Sequence, residues 1–359
     1  MMNIAHLRLA NQRIATRPFV QPEEVVAWLG AMQGQDYTGT LWAVGLRMMQ
    51  ASEERIEQAL AERRIVRTWP MRGTLHFVAA NDVRWLLQLL TPRMIAQSVG
   101  RYRQLELDEA TFAASQEIFV KTLLGGKQLT RDKMYQNLEQ ANIATAGQRG
   151  YHLLARASQD GLICFGIPNG NQQTFTLLDE WVAPTKPLTR QEALAELARR
   201  YFTSRGPATL QDLMRWAGIT TAEAKFGLAA VEQELIQETI NGLVYWMPPD
   251  IVDIEPNTAS TFLLPGFDEY ILGYGKRDAV LDPAHAQAIC PGSNGVYNPT
   301  IVVNGRVVGT WKRVLKAHTV LITPNPFQPL NNAEREAFAA AATRYGAFLG
   351  LSVVTPMAG

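Results

Sequence analysis

Cysteine is nearly absent from this sequence: Cys164 and Cys290 are the only two in 359 residues. Two thiols cannot by themselves complete a structural zinc site. They also lie in unrelated contexts, Cys164 in an apolar run and Cys290 before a Pro-Gly turn. Both read as reduced thiols of a cytoplasmic protein. Histidine is sparse as well. His6, His76, His152, His285 and His318 form no HExxH or other metal-ligand spacing, so no metal is assigned. No run approaches the ~20 apolar residues of a membrane span, and "MMNIAHLRLANQRI" lacks the apolar core of a signal peptide. The net charge of +1 exerts no global pull towards nucleic acid.

Common catalytic signatures are missing too. "GGKQLT" lacks both the leading glycine of a P-loop and the Ser or Thr after Lys127. "CPGSNG" has Pro291 where a nucleophile elbow needs glycine before Ser293. "GYGKRD" has Asp278 in place of the third glycine of a dinucleotide fingerprint.

What remains is an ordinary globular composition, 47% apolar and 19% charged, long enough for two or three domains. Its charge is uneven. Between Ala61 and Arg103 stand eight arginines and two acids, a local net charge of +6. Arginine's planar fork suits phosphate, so this stretch is a candidate binding face. The plainer reading is a solvated surface balanced by acids elsewhere in the chain.

Helices followed by a hairpin recur. "PEEVVAWLGAMQ" predicts a helix with Pro22 at its start and acids in its first turn. "SEERIEQALAER" predicts a second, with Ser52 as N-cap. "IVRTWPMRGTLHFV" then reads as two strands around Arg72-Gly73. In the next unit Thr130 caps "LTRDKMYQNLEQAN", "QRGYHLLARASQDG" is helical, and Pro168-Asn169-Gly170-Asn171 turns a hairpin. The third unit begins a helix near Thr189 and stops another at Gly218. It shows capping-box spacing at Thr220 and Glu223, and turns a hairpin at Asn241-Gly242.

Helices plus a two-stranded wing describe the winged helix, which places a helix in a DNA groove and a wing on the backbone. The expected fold is α+β: three tandem winged-helix units over 1–105, 106–186 and 187–250, then a β-rich, barrel-like domain over 251–359. "MPPDIVDIEPNTAS" is the expected linker. "TFLLPGFDEYILGYG", "TIVVNGRVVGTWKRV" and "HTVLITP" are expected strands, and "NNAEREAFAAAATRYGAFLG" a final helix on their sheet.

The segments "GAMQGQDYTGTLWAVGLR", "RTWPMRGTLHFV", "LLPGFDEYILGYGKR" and "VNGRVVGTWKR" resemble the AlkZ-like DNA glycosylases over about Ile14 to Gly350. That family is built of winged helices and is associated with interstrand-crosslink repair and antibiotic self-resistance. The resemblance implies hydrolysis of the N-glycosidic bond of alkylated purines, above all N7-alkylguanine, leaving an abasic site. It implies no metal or organic cofactor. The family's catalytic signature is Gln, an aliphatic or small residue, then Gln. Gln33 and Gln35 hold its ends, with Gly34 in place of the usual apolar middle residue.

Two neutral amides suit such a leaving group. Alkylation at N7 makes the base cationic, so it departs neutral without a general acid. An amide oxygen can face the oxocarbenium-like sugar while a second amide holds water. Asp36 is a possible auxiliary base, although an Asp here is more often a turn former. Candidate phosphate contacts are Arg72, Arg149, Arg156, Lys312 and Arg313. Trp28, Trp42, Trp69 and Trp216 read as core. The expected partner is double-stranded DNA containing alkylated bases, bound by a cytoplasmic, nucleoid-associated monomer. The alternatives are a non-catalytic winged-helix DNA-binding or regulatory protein and a protein-interaction scaffold.

Overall fold

The computed structural model describes residues 2–251 and 261–355, so most of the expected linker lies outside the described residues. After α1 (Ile4–Asn11), the chain forms α2 (Pro22–Leu29), β1 (Met32–Gln33), α3 (Tyr37–Gly45) and α4 (Glu53–Ala61). The hairpin β2 (Ile65–Met71) and β3 (Thr74–Ala79) follows, and the sheet order is β1-β3-β2. The 22-residue α5 (Val83–Gln104) leads away from it.

The pattern then repeats: α6 (Glu109–Leu123), β4 (Leu129–Thr130), α7 (Arg131–Gln140), α8 (Arg149–Gln159), β5 (Ile163–Phe165) and β6 (Thr174–Leu177). Its sheet order, β4-β6-β5, matches the first. After the short α9 (Leu178–Trp181) come α10 (Arg190–Arg205), α11 (Leu210–Ala217), α12 (Thr221–Ala229), and the hairpin β7 (Ile236–Ile240) and β8 (Leu243–Met247). A single bridge from Ala208 to Trp246 stands where the other two sheets have their short strand.

The remaining elements are β9 (Thr261–Leu264), α13 (Glu269–Leu272), α14 (Ala286–Ile289), β10 (Thr300–Val303), β11 (Arg306–Leu315), β12 (Thr319–Pro326), α15 (Asn332–Leu349) and β13 (Ser352–Val354). The five strands make one open sheet, β13-β12-β11-β10-β9, so β9 and β13 are edges rather than closing a barrel. Phe338, Ala342, Tyr345 and Phe348 of α15 are buried in the core that this sheet shares with the N-terminal helices.

Two local expectations change, and one segment given no assignment above folds as a helix. The helix opening at Pro22 ends at Leu29, because Gly30 adopts a φ of +73°, so "AMQ" leaves the helix. "YTGTLWAVG" is helical despite two glycines, two threonines and a valine. Residues 39–45 are buried on all sides, and that burial outweighs weak helix propensity. In "TFLLPGFDEYILGYG" only Thr261–Leu264 is a strand. Asp268 accepts the Tyr270 N–H and caps the helical turn α13.

Packing does not follow chain order. One buried cluster joins Val25, Leu29, Trp42 and Phe77 to Leu263, Ile301, Trp311 and Tyr345. Trp42 donates its indole N–H to the Leu263 carbonyl at 2.7 Å. A second cluster joins Val66, Val78 and α5 to α10, α11 and Trp216. The C-terminal sheet therefore completes the core beneath the N-terminal helices.

Candidate active site

Gln33 lies on a short edge strand. β1 runs antiparallel to β3, with Gln33 opposite His76, and the Gly34 N–H continues the ladder to the Leu75 carbonyl at 2.6 Å. Gln33 is the last residue of β1, and Gln35 follows two residues on, past the end of the strand. Gln33 is half-buried and Gln35 exposed.

Both carboxamides are oriented by groups that only donate. Arg72 Nη2 stands 3.4 Å from Gln33 Oε1, and the Leu75 N–H stands 3.3 Å from Gln35 Oε1. A guanidinium and a peptide N–H cannot accept, so the oxygens face them. Each oxygen keeps a second lone pair, and each Nε2 keeps its donors, for substrate or water.

Arg72 reaches Gln33 because of its turn. Met71 pairs with Thr74, and Arg72-Gly73 between them has φ of 52° and 68°, the two-residue hairpin turn. The guanidinium folds inward, donating to the Trp216 carbonyl and to His76 Nε2, the latter at 3.3 Å. Burial lowers its pKa, opposed by the charge of Glu269. His76 is fully buried. Burial and then Arg72 hold its imidazole well below the usual value, so it is neutral. Nδ1 lies 3.0 Å from the Thr74 carbonyl and must carry the proton, leaving Nε2 to accept from Arg72.

Below this layer is an ion pair. Glu269 is buried and meets Arg205 at 2.6 Å and the Trp216 indole N–H at 2.9 Å. Its other oxygen accepts the Gln33 backbone N–H at 3.2 Å. The Gln33 carbonyl accepts from Thr40 Oγ1 at 2.8 Å. The neighbouring Asp268 pairs with Arg47 through two bonds of 2.9 Å, with neither side chain exposed.

The expected site residues separate. Gln33 and Arg72 meet directly, and Gln35 is held beside them on the Leu75 N–H. Asp36 caps α3, accepting from the Gly39 N–H at 3.2 Å and from Thr38 Oγ1 at 3.3 Å. Arg313 joins this edge, donating to Thr38 Oγ1 at 2.6 Å and to the Tyr345 hydroxyl. Lys312 is exposed on β11. Arg149 instead spends its donors on the carbonyls of Ala144, Leu105 and Glu106. Arg156 is neutralised by Glu109 and Asp160. Trp42, Trp69 and Trp216 are core, as expected, and Trp28 is packed against it.

The arginine-rich stretch is largely absorbed by the fold. Arg64 pairs with Glu23 and Glu62, and Arg84 with Asp179. Arg93, Arg101 and Arg103 stay exposed from the middle of α5 to its end. That helix passes the Arg72-Gly73 turn, where the Gly73 N–H points at Met94 Sδ at 2.7 Å.

Sequence reasoning did not single out Arg67, His76, Arg205 or Glu269 for the site. The Asp268-Glu269 pair inside an apolar stretch was the available signal, since acids there need buried partners.

The model of the family described as "DNA glycosylase AlkZ-like" matches residues 26–348. The chain is 29% identical over 355 residues to a Streptomyces sahachiroi protein named interstrand DNA cross-link repair glycosylase, covering 91% of this chain and 92% of that one. It is similar in fold to the solved structure of Streptomyces sahachiroi DNA glycosylase AlkZ, with a TM-score of 0.83, 24% identity and 98% of each chain covered. With nearly its whole length matched, the chain belongs to the AlkZ-like DNA glycosylase family and is accordingly an enzyme that hydrolyses N-glycosyl bonds.

Proposed function

We propose that this glycosylase removes N7-alkylated purines, including crosslinked ones, from double-stranded DNA, and that Gln33 and Gln35 carry the reaction. The observation that carries this reading is the pair itself: two carboxamides two residues apart, one at the end of β1 and one just beyond it, each oxygen anchored by a fixed donor. In the reaction the C1′–N9 bond breaks with its electrons moving to the cationic base, which leaves neutral. Water adds at C1′ and releases a proton. The free lone pair of one amide oxygen faces the electron-poor sugar, and the other amide holds the water, so the pair acts by position and preorganised dipoles. An unmodified purine, a far poorer leaving group, is spared.

Asp36 supports this as a cap, since its Oδ1 already serves Gly39 and Thr38. The three helix–hairpin repeats with matching strand order favour three winged-helix units, over 1–105, 106–186 and 187–250, with the sheet-bearing unit over 251–359. Phosphate contacts fall to Lys312, Arg313 and the exposed arginines of α5. Arg72, Arg149 and Arg156 shape the protein around them. The enzyme works as a cytoplasmic, nucleoid-associated monomer, and no described helix is long and apolar enough to cross a membrane. The decisive experiment is excision of 7-methylguanine from methylated duplex DNA by Gln33→Ala and Gln35→Ala proteins. The expected result is a loss of roughly 100-fold or more in each, and undiminished rates in both would overturn the assignment.

A further inference from the structure

Among the described residues, no carboxylate pairs with the buried cation of Arg67. It lies on β2 with 7% of its surface exposed, and burial lowers its pKa to about 10. A cation taken from water without an anion is costly, so its neutral partners matter. Two of its donors converge on one atom: Nε and Nη2 stand 3.1 and 2.8 Å from the Gly34 carbonyl oxygen. Nη1 donates to Gln173 Oε1 at 2.8 Å. The guanidinium stands over the rings of Phe165 and Tyr37, at 4.9 and 5.4 Å from their centroids.

Gly34 is the residue between the two glutamines, and it has no side chain to pack. Glycine leaves its backbone freer than any other residue does. The relative placement of the two carboxamides therefore rests on what grips this residue's peptide groups. Its N–H is held by Leu75 and its carbonyl by Arg67. We propose that Arg67 is the positioning residue of the site: its fork fixes the peptide plane between Gln33 and Gln35, and Gln173, reaching in from the second helix–hairpin repeat, locks the fork. Lysine cannot replace it, because one ammonium cannot supply two donors in a rigid plane. Arg67 touches no substrate and acts only through the peptide it holds.

The inference rests on the assignment of Gln33 and Gln35, and the test keeps the two apart. Single-turnover excision of 7-methylguanine and affinity for unmodified duplex are measured for Arg67→Lys, Gln173→Leu, Gln35→Ala and the Arg67→Lys/Gln35→Ala double variant. A misplacement of about 1 Å costs on the order of 100-fold in rate. Arg67→Lys is therefore expected to lose roughly 10- to 100-fold in rate, and Gln173→Leu less, with duplex affinity within about threefold. In the double variant Arg67→Lys adds little to the loss from Gln35→Ala, because the positioned group is gone. A purely structural role predicts full additivity or a parallel loss of rate and affinity, and either overturns the proposal. So does an unchanged rate in Arg67→Lys beside an impaired Gln35→Ala. An unimpaired Gln35→Ala would instead remove the glutamine assignment on which the proposal stands.

Discussion

The carboxylate of Glu269 accepts the backbone N–H of Gln33 at 3.2 Å across 236 residues of sequence. The same carboxylate is paired with Arg205 and bonded to Trp216. One buried acid thus ties the strand bearing the glutamines to the third helix–hairpin repeat. Glu269→Gln leaves Arg205 buried and uncompensated, and breaking a buried pair from one side costs about 3–5 kcal/mol. Urea denaturation should show a loss of that size. Activity of the still-folded fraction should fall as Gln33 loses its anchor.

Gly34 gives a contest between two effects. Its φ is not in the left-handed region, so Ala would adopt the conformation, and Gly→Ala then gains ~0.4–1 kcal/mol from the unfolded chain. A Cβ there would stand 3.3 Å from the His76 carbonyl carbon and 3.4 Å from both His76 Cα and Phe77 Cδ1. Two of those atoms are backbone in a paired strand and yield little, so overpacking of about 1–3 kcal/mol should win. Gly34→Ala is expected to lower the melting temperature slightly and to slow excision by roughly tenfold.

His76 makes acid sensitivity a property of the site. Its folded pKa is depressed, so above the unfolded value, about 6.5, both states are neutral and it contributes nothing to pH dependence. As pH falls below that value the unfolded chain takes up a proton that the folded protein refuses. Stability therefore falls with decreasing pH, by at most about 1.4 kcal/mol per unit. Denaturation midpoints across this window should show that slope, reduced in His76→Gln. The excision rate should not titrate with this imidazole, because it is already neutral.

Lys312 is exposed and Arg313 half-buried on β11, and Arg313 donates to Thr38 Oγ1. If Lys312 contacts phosphate, Lys312→Ala should weaken binding to all duplex sequences alike. It should also reduce the slope of log affinity against log salt by about 1. Arg156→Ala should leave the slope nearly unchanged, since Glu109 and Asp160 already offset that charge. Equal slope changes in the two variants would contradict this division.

Much was legible locally, because caps and tight turns depend on residues two or three apart. The Thr220/Glu223 box forms, the helix expected near Thr189 starts there, and Asn241-Gly242 and Asn304-Gly305 turn hairpins with positive φ at both positions. The spacing Gln33-Gly34-Gln35, through its resemblance to the family's signature, marked the candidate pair. Tertiary structure alone decided that this chain is extended, through the pairing of β1 with β3. It made a helix of Tyr37–Gly45 by burying nearly every residue of it. It turned Arg72 inward, and it chose Glu269 for Arg205 and the Gly34 carbonyl for Arg67. Local propensity reaches only three or four residues along the chain, whereas a buried charge takes whichever partner the packed fold brings within hydrogen-bond reach, and here some of those partners are more than two hundred residues away in sequence.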